Sequence, residues 1–219
     1  MAELLPCVEL EPAQAATAAV IWLHGLGADG HDFEPIVPEL RLPDELAIRF
    51  VFPNAPDLPV TVNNGVRMPA WYDILEFGVE RKFNAAQLLA SAAQVHALID
   101  REMARGIASD RIVLAGFSQG GAVNFQAGLT YDKPLGAMIA LSTYFPTAEA
   151  VQVHPANAQI PILICHGTAD TLLPMVMAKN SKQHLERLGL APQFKTYFMQ
   201  HSLCPQEILD ISEFMQAHL

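Results

Sequence analysis

Residues Gly116-Phe117-Ser118-Gln119-Gly120 have the spacing G-x-S-x-G and lie between two apolar segments. The preceding segment, 112–115, predicts a short buried strand, and the following segment, 122–127, predicts the apolar face of a helix. A serine at so tight a strand-to-helix turn takes a strained backbone conformation, and side chains two positions away on either side would collide. Glycine fits there because it has no Cβ. The pattern predicts a serine raised above a sheet, although a glycine-rich turn with an ordinary capping serine remains the alternative.

Apolar strands and amphipathic helices alternate along the rest of the chain. The predicted strands are 18–23, 47–52, 111–116, 135–141, 160–165 and 194–198, and the predicted helices include 84–105, 119–129, 174–188 and one from 205. Continuously apolar strands indicate a parallel sheet that is covered on both faces. G-x-S-x-G between a strand and a helix is the nucleophile-elbow pattern. We therefore expect one α/β domain over 1–219, with the single-domain α/β-hydrolase fold: an open, mostly parallel sheet with helices on both faces.

Composition limits the classes of partner. The 219 residues carry a formal net charge of −10, and this acidity disfavours a nucleic-acid partner. No apolar run approaches the length of a membrane span, and the acidic start of the chain is unlike a signal peptide, so we expect a cytoplasmic protein with no membrane span. The three cysteines are scattered, so neither a disulfide framework nor a metal site is expected.

The segment 56–78 breaks the alternation of strands and helices. Prolines and the turn signal Asn63-Asn64-Gly65 argue against regular structure, yet much of the segment is apolar. Two compatible interpretations remain, a packed cover over one edge of the core and a wall of the substrate cleft. We take Met68, Trp71 and Leu75 as its candidate substrate-binding residues.

A nucleophilic serine needs a base, and the base needs a carboxylate that orients it. In this fold the chain order is serine, acid, histidine, each after a separate strand. Asp170 follows the strand that ends at Cys165, and His201 follows the last predicted strand, so both stand where the order requires. Taken singly, Asp170 could be a helix cap and His201 an exposed loop histidine. Glu149 is the next candidate acid, although it follows one strand too early.

Two backbone N–H groups are expected to stabilise an oxyanion. The N–H of Gln119 follows the serine at a helix N-terminus, and the glycine-rich loop 24–27 suggests the N–H of Leu26 as the second donor. Residues 25–30 also fit G-x-G-x-x-G, the dinucleotide-binding pattern. That pattern expects an acid at the end of the second strand, which here ends in Phe52-Pro53-Asn54, so no cofactor is expected.

Six motifs together resemble the phospholipase/carboxylesterase family, which includes acyl-protein thioesterases. They are His24-Gly25-Leu26-Gly27, Phe52-Pro53-Asn54-Ala55-Pro56, Met68-Pro69-Ala70-Trp71-Tyr72-Asp73-Ile74, Gly116-Phe117-Ser118-Gln119-Gly120, His166-Gly167-Thr168-Ala169-Asp170 and His201-Ser202-Leu203-Cys204. The resemblance implies Ser118, Asp170 and His201 as the triad, Leu26 and Gln119 as the oxyanion hole, and segment 57–75 as the border of an acyl-chain groove. Gln200 departs from the glycine that many bacterial relatives have before the histidine.

The sequence thus predicts a cofactor-free serine hydrolase. Its expected partner is a small-molecule carboxylic ester with a short-to-medium acyl chain, and acyl thioesters and lysophospholipids remain alternatives. A catalytically silent binding protein with the same fold is the second hypothesis. A homodimer is left open.

Overall fold

The computed structural model describes residues 4–79 and 81–219, and strands and helices alternate along them. Within these residues the strands are β1 (Cys7–Leu10), β2 (Ala18–Leu23), β3 (Ile48–Pro53), β4 (Asp57–Val60), β5 (Val66–Pro69), β6 (Ile74–Glu76), β7 (Lys82–Phe83), β8 (Ile112–Phe117), β9 (Ala137–Leu141), β10 (Ile162–Gly167) and β11 (Gln193–Tyr197). The α-helices are α1 (Ala85–Ala104), α2 (Gln119–Thr130), α3 (Met175–Arg187) and α4 (Pro205–His218). Short 3-10 helices lie at Glu34–Leu40, Asp44–Leu46, Thr61–Asn63, Ser109–Arg111 and Pro155–Asn157.

The main sheet has the strand order β1-β3-β2-β8-β9-β10-β11. Strand β1 pairs antiparallel with β3, and every other neighbouring pair in this sheet is parallel. The carboxyl ends of parallel strands meet at one edge of a sheet, so the loops after β2, β8, β10 and β11 come together there. This confirms the predicted mostly parallel α/β architecture.

The two faces of the sheet bury separate apolar layers. Along β2, Ala19, Ile21 and Leu23 face the layer that includes α1, α2 and α3, whereas the intervening residues of β2 face the layer that includes α4. This alternation follows from the two-residue period of a strand. Helices therefore cover both faces, as predicted.

Helix α1 begins as its sequence predicts. Asn84 is the N-cap, and its side chain accepts a hydrogen bond from the N–H of Gln87 at 3.1 Å. Leu88, Val95 and Ile99 are fully buried against the sheet. This stripe fixes α1 beside α2, the helix that follows Ser118.

Two parts of the fold differ from the sequence-based expectation. Strand β1 was not predicted, because all four of its residues are only half-buried and lack a clear alternation. The segment 56–78 is more regular than predicted, because β4 and β5 form an antiparallel two-stranded ribbon and β6 pairs with β7. Pro59 and Pro69 lie within that ribbon, and a two-stranded ribbon tolerates proline because each of its strands is an edge strand.

Candidate active site

Ser118 occupies the turn between β8 and α2 with a strained backbone. Its φ is 53° and its ψ is −118°, which is uncommon for a residue with a side chain. A Cβ at Gly116 would lie 2.7 Å from the backbone of Gly120, and a Cβ at Gly120 would lie 2.5 Å from the Leu23 carbonyl oxygen. The predicted steric reason for both glycines is therefore confirmed.

His201 lies in the loop between β11 and α4 and contacts both other members of the predicted triad. Its Nε2 is 3.0 Å from the Ser118 hydroxyl oxygen, and its Nδ1 is 2.6 Å from Oδ2 of Asp170. The ring of Phe117 packs against the imidazole with 4.7 Å between the ring centroids. The structure therefore brings Ser118, His201 and Asp170 into one chain of hydrogen bonds.

Asp170 lies in the loop after β10, and its carboxylate is buried. Its Oδ1 accepts hydrogen bonds from the N–H groups of Leu172 at 2.9 Å and Leu173 at 2.8 Å. Leu173 is also held through its carbonyl oxygen, which accepts a 2.7 Å hydrogen bond from Nε2 of His166. Burial lowers the pKa of His166, so this imidazole is neutral. His166 thus anchors the loop that carries Asp170.

The competing acids lie in other contacts. Glu149 is 3.2 Å from Nδ1 of His184, and its side chain is largely exposed. Asp132 is exposed beside Lys133, with 3.4 Å between the charged atoms. Among the carboxylates of the described residues, the one that contacts His201 belongs to Asp170.

The loop after β2 lies beside Ser118, because Gly25 and Leu26 line the same cavity as the serine. Within the described residues the N–H of Leu26 has no hydrogen-bond acceptor, and the N–H of Gln119 is at the first position of α2, where no intrahelical acceptor exists. His24 stabilises the loop, because its Nε2 accepts the N–H of Ala55 at 3.1 Å and its Nδ1 donates to the Gly25 carbonyl at 2.7 Å. Burial lowers the pKa of His24, which matches this neutral tautomer.

A cavity of about 270 Å³ opens beside Ser118 and His201. Most of its wall is apolar, and the residues come from several loops at the carboxyl edge of the sheet. The apolar residues are Leu26, Ala28, Ile74, Phe77, Phe117, Leu172 and Leu173. Arg81 and Tyr144 complete one side. Apolar walls around a few polar groups are typical of a small-molecule site.

The structure does not bring Met68, Trp71 or Leu75 to this cavity. Met68 packs over the ribbon, where its sulfur accepts a hydrogen bond from Asn63 at 3.3 Å. Leu75 is 46% exposed, whereas its neighbour Ile74 in β6 is buried. The sequence signal for Ile74 and Phe77 was present in the apolar segment, whereas no local signal marked Arg81, Tyr144 or Leu172.

Comparison with known proteins shows the family to which this chain belongs. A family model described as Phospholipase/Carboxylesterase matches residues 7–219. The chain belongs to the phospholipase/carboxylesterase family. It is 42% identical over 187 residues to acyl-protein thioesterase 1 of Schizosaccharomyces pombe, and the match covers 84% of this chain and 83% of that relative.

Solved structures of similar proteins share this fold. Arabidopsis thaliana SOBER1 has a TM-score of 0.86 and 32% identity, with 92% of this chain and 98% of that chain covered. Zea mays acyl-protein thioesterase 2 has a TM-score of 0.86 and 26% identity, with 97% and 98% covered. The α/β-hydrolase fold is confirmed, and the chain is a hydrolase. No helix in the described part of this family member is long and apolar enough to cross a bilayer.

Trp71 holds parts of the backbone around the site through its two N–H groups. Its indole N–H donates to the His24 carbonyl at 2.9 Å, and its backbone N–H donates to the side-chain oxygen of Gln119 at 2.8 Å. The amide nitrogen of Gln119 then donates to the Tyr72 carbonyl at 2.7 Å. Trp71 therefore connects the two loops that carry the candidate oxyanion donors.

Proposed function

We propose that this enzyme hydrolyses carboxylic esters and acyl thioesters through Ser118, His201 and Asp170. The observation that carries the proposal is the continuous hydrogen-bond chain from the Ser118 hydroxyl through His201 to the buried Asp170 carboxylate. A serine hydroxyl, an imidazole and a carboxylate in this order are the components of nucleophilic acyl transfer. No cofactor is required by this chemistry.

In the acylation half-reaction, Nε2 of His201 takes the proton of Ser118 while the serine oxygen attacks the acyl carbon. The carbonyl oxygen becomes an oxyanion that accepts hydrogen bonds from the N–H groups of Leu26 and Gln119. The imidazolium then gives its proton to the leaving alcohol or thiol as the bond to the acyl carbon breaks. Asp170 holds Nδ1 of the imidazole protonated throughout and stabilises the cation that forms.

In the deacylation half-reaction, water replaces the leaving group. Nε2 of His201 takes a proton from water, and the resulting hydroxide oxygen attacks the acyl carbon of the serine ester. The tetrahedral intermediate uses the same two N–H groups. Collapse of the intermediate returns the proton to Ser118 and releases the carboxylic acid.

The cavity supports a preference for short-to-medium acyl chains. Its apolar wall gains free energy from each methylene that it buries, about 0.8 kcal/mol at most. Its volume of about 270 Å³ is slightly below the range usual for sites that take drug-sized ligands. The gain should therefore stop after a few carbons. The name of the relatives, acyl-protein thioesterase, makes thioesters the first alternative to test beside oxygen esters.

The experiment is a substrate panel on wild type, with Ser118→Ala as the blank. The panel contains p-nitrophenyl esters from acetyl to dodecanoyl, matched acyl thioesters and a lysophospholipid. We expect wild type to turn over short and medium esters and thioesters and the blank to be inactive. Turnover in the blank equal to wild type, or no turnover of any substrate by folded wild type, would remove the proposal.

A further inference from the structure

A second cavity adjoins the cavity beside Ser118. Its volume is about 370 Å³, and it lies between the β6–β7 hairpin, the loop after β9 and α3. Arg81 and Tyr144 line both cavities. The boundary between the two spaces is therefore made by these two side chains.

The Arg81 side chain is held in place at that boundary. Its Nη2 donates a 2.6 Å hydrogen bond to the carbonyl oxygen of Leu172, which also lines the first cavity. Its guanidinium lies 5.3 Å from the ring centroid of Phe77 and 5.5 Å from that of Tyr144, within the range of cation–π contact. The Tyr144 hydroxyl is 2.7 Å from the hydroxyl of the fully buried Tyr72, so the tyrosine is fixed as well.

We propose that Arg81, seated on Tyr144, is the residue that ends the acyl cavity and so sets the upper limit of acyl-chain length. The proposal rests on the proposed function and adds a specificity-determining residue to it. An alkyl chain that reaches the guanidinium would displace water from a charged group without providing a hydrogen bond, and such a contact is unfavourable. Chain extension beyond that point should give no further gain.

The space behind Arg81 can accept an acyl chain. Its wall includes Val79, Phe83, Phe145 and Met177, all of which offer apolar surface. The polar side chains of this cavity, besides Arg81 and Tyr144, are Glu149, Asn180, Ser181 and His184. Removal of the Arg81 side chain would join two spaces that the native side chain separates. Without the Arg81 side chain, kcat/KM should rise for esters of longer saturated acids.

The test is the acyl-chain series on Arg81→Ala, with rates normalised to the fraction of enzyme that a fluorophosphonate probe labels. We expect the plateau in kcat/KM to move to longer chains, with a gain of up to roughly fourfold for each methylene beyond the wild-type plateau. Arg67→Ala is the matched control, because Arg67 also donates a 2.6 Å hydrogen bond to a backbone carbonyl, that of Asp57, outside both cavities. We expect kcat/KM of Arg67→Ala to reach its plateau at the same acyl-chain length as in wild type.

A second variant tests the route of the longer chain. Ala148 lines the second cavity only, so Ala148→Phe added to Arg81→Ala fills the new space and should return the plateau to the wild-type length. An unchanged plateau in Arg81→Ala overturns the proposal, as does an extended plateau that Ala148→Phe leaves in place. A selective loss of esters that carry a terminal carboxylate, with no change in plateau, would overturn it in favour of anion recognition. None of these results contradicts the proposed function. The proposed function fails separately, if the fluorophosphonate probe does not label Ser118.

Discussion

Oδ2 of Asp170 lies 2.6 Å from Nδ1 of His201, while Oδ1 of the same carboxylate accepts two backbone N–H groups from the loop that follows. An ionised carboxylate only accepts hydrogen bonds, so Nδ1 of His201 carries the proton and Nε2 is left to accept one from Ser118. The two interpretations of Asp170, loop cap and orienting carboxylate, are therefore compatible, because each uses a different oxygen.

Asp170→Asn separates these two roles. Asparagine retains an oxygen that can accept the N–H groups of Leu172 and Leu173, so the free energy of unfolding should change little. Its amide cannot accept the proton donated by Nδ1 if the amide nitrogen faces His201, which favours the wrong imidazole tautomer. We expect kcat to fall by roughly 10³ to 10⁴. Steady-state rates and urea unfolding check this, and near-normal rates would assign the orienting role to another acid.

Gln119→Leu tests the contact between the elbow helix and the loop that contains Trp71. The substitution removes the side-chain oxygen and nitrogen of Gln119, which bond to the Trp71 N–H and the Tyr72 carbonyl. It leaves these two backbone groups buried without hydrogen bonds. Each such group costs about 1–3 kcal/mol, so we expect the two together to lower the free energy of unfolding by about 2–6 kcal/mol. Gln126→Leu on the same helix is the control, since its side chain makes no hydrogen bond within the described residues. Equal losses of unfolding free energy in the two variants would contradict a stabilising role for the Gln119 hydrogen bonds.

Glu207 should make stability fall with increasing pH. Its side chain is fully buried in α4, and burial raises its pKa to about 8. The ordinary pKa of glutamate in an unfolded chain is about 4.3, so between these values the folded state holds a proton that the unfolded state has lost. Stability then declines by up to about 1.4 kcal/mol for each pH unit in this window.

Glu207→Gln should remove that decline, because the amide does not titrate. Urea unfolding of wild type and variant at several pH values measures the difference. We expect the stability of the variant relative to wild type to increase as the pH rises from about 4.3 to about 8, the window between the two pKa values. Parallel stability curves for the two proteins would show that Glu207 is not the titrating group.

Leu172→Ala tests the apolar wall of the cavity. Leu172 is 63% exposed, so its truncation should not disturb the core, yet it lines the space beside Ser118. We expect kcat/KM for medium-chain esters to fall roughly three- to tenfold relative to acetyl ester, since up to about 0.8 kcal/mol is lost per methylene contact.

Leu75→Ala is the matched control for Leu172→Ala. Leu75 is 46% exposed in β6 and lies outside the cavity. We expect its chain-length profile to match wild type. If Leu75→Ala flattens the profile and Leu172→Ala does not, the acyl groove runs along segment 57–75, as the sequence first suggested.

The sequence predicts the fold, and it also selects Ser118, Asp170 and His201, which the structure joins by hydrogen bonds, because both inferences depend on local patterns. Ser118 is marked by its flanking glycines, while Asp170 and His201 are marked by their positions after buried strands. Parallel strands place such loop residues together whatever the details of packing. Order along the chain was therefore enough to select Asp170 over Glu149.

The cavity wall was not predictable in the same way. Arg81, Tyr144 and Leu172 meet only through tertiary packing of three separate loops, and none of them lies in a recognisable motif. Trp71 misleads in the other direction. Its large apolar side chain suggests contact with a ligand, but its two N–H groups donate hydrogen bonds to Gln119 and His24 beside the site. Only contacts across the fold distinguish these cases.

Covalent labelling of Ser118 tests the central claim most directly. Wild type and Ser118→Ala are treated with a fluorophosphonate probe, and intact mass and peptide mapping locate the adduct. We predict one adduct per wild-type chain, on Ser118, and none on the variant, which should also lose roughly 10⁴ to 10⁶ in esterase rate while it stays folded. An unlabelled but folded wild type, or an adduct on another residue that persists in Ser118→Ala, would contradict the account.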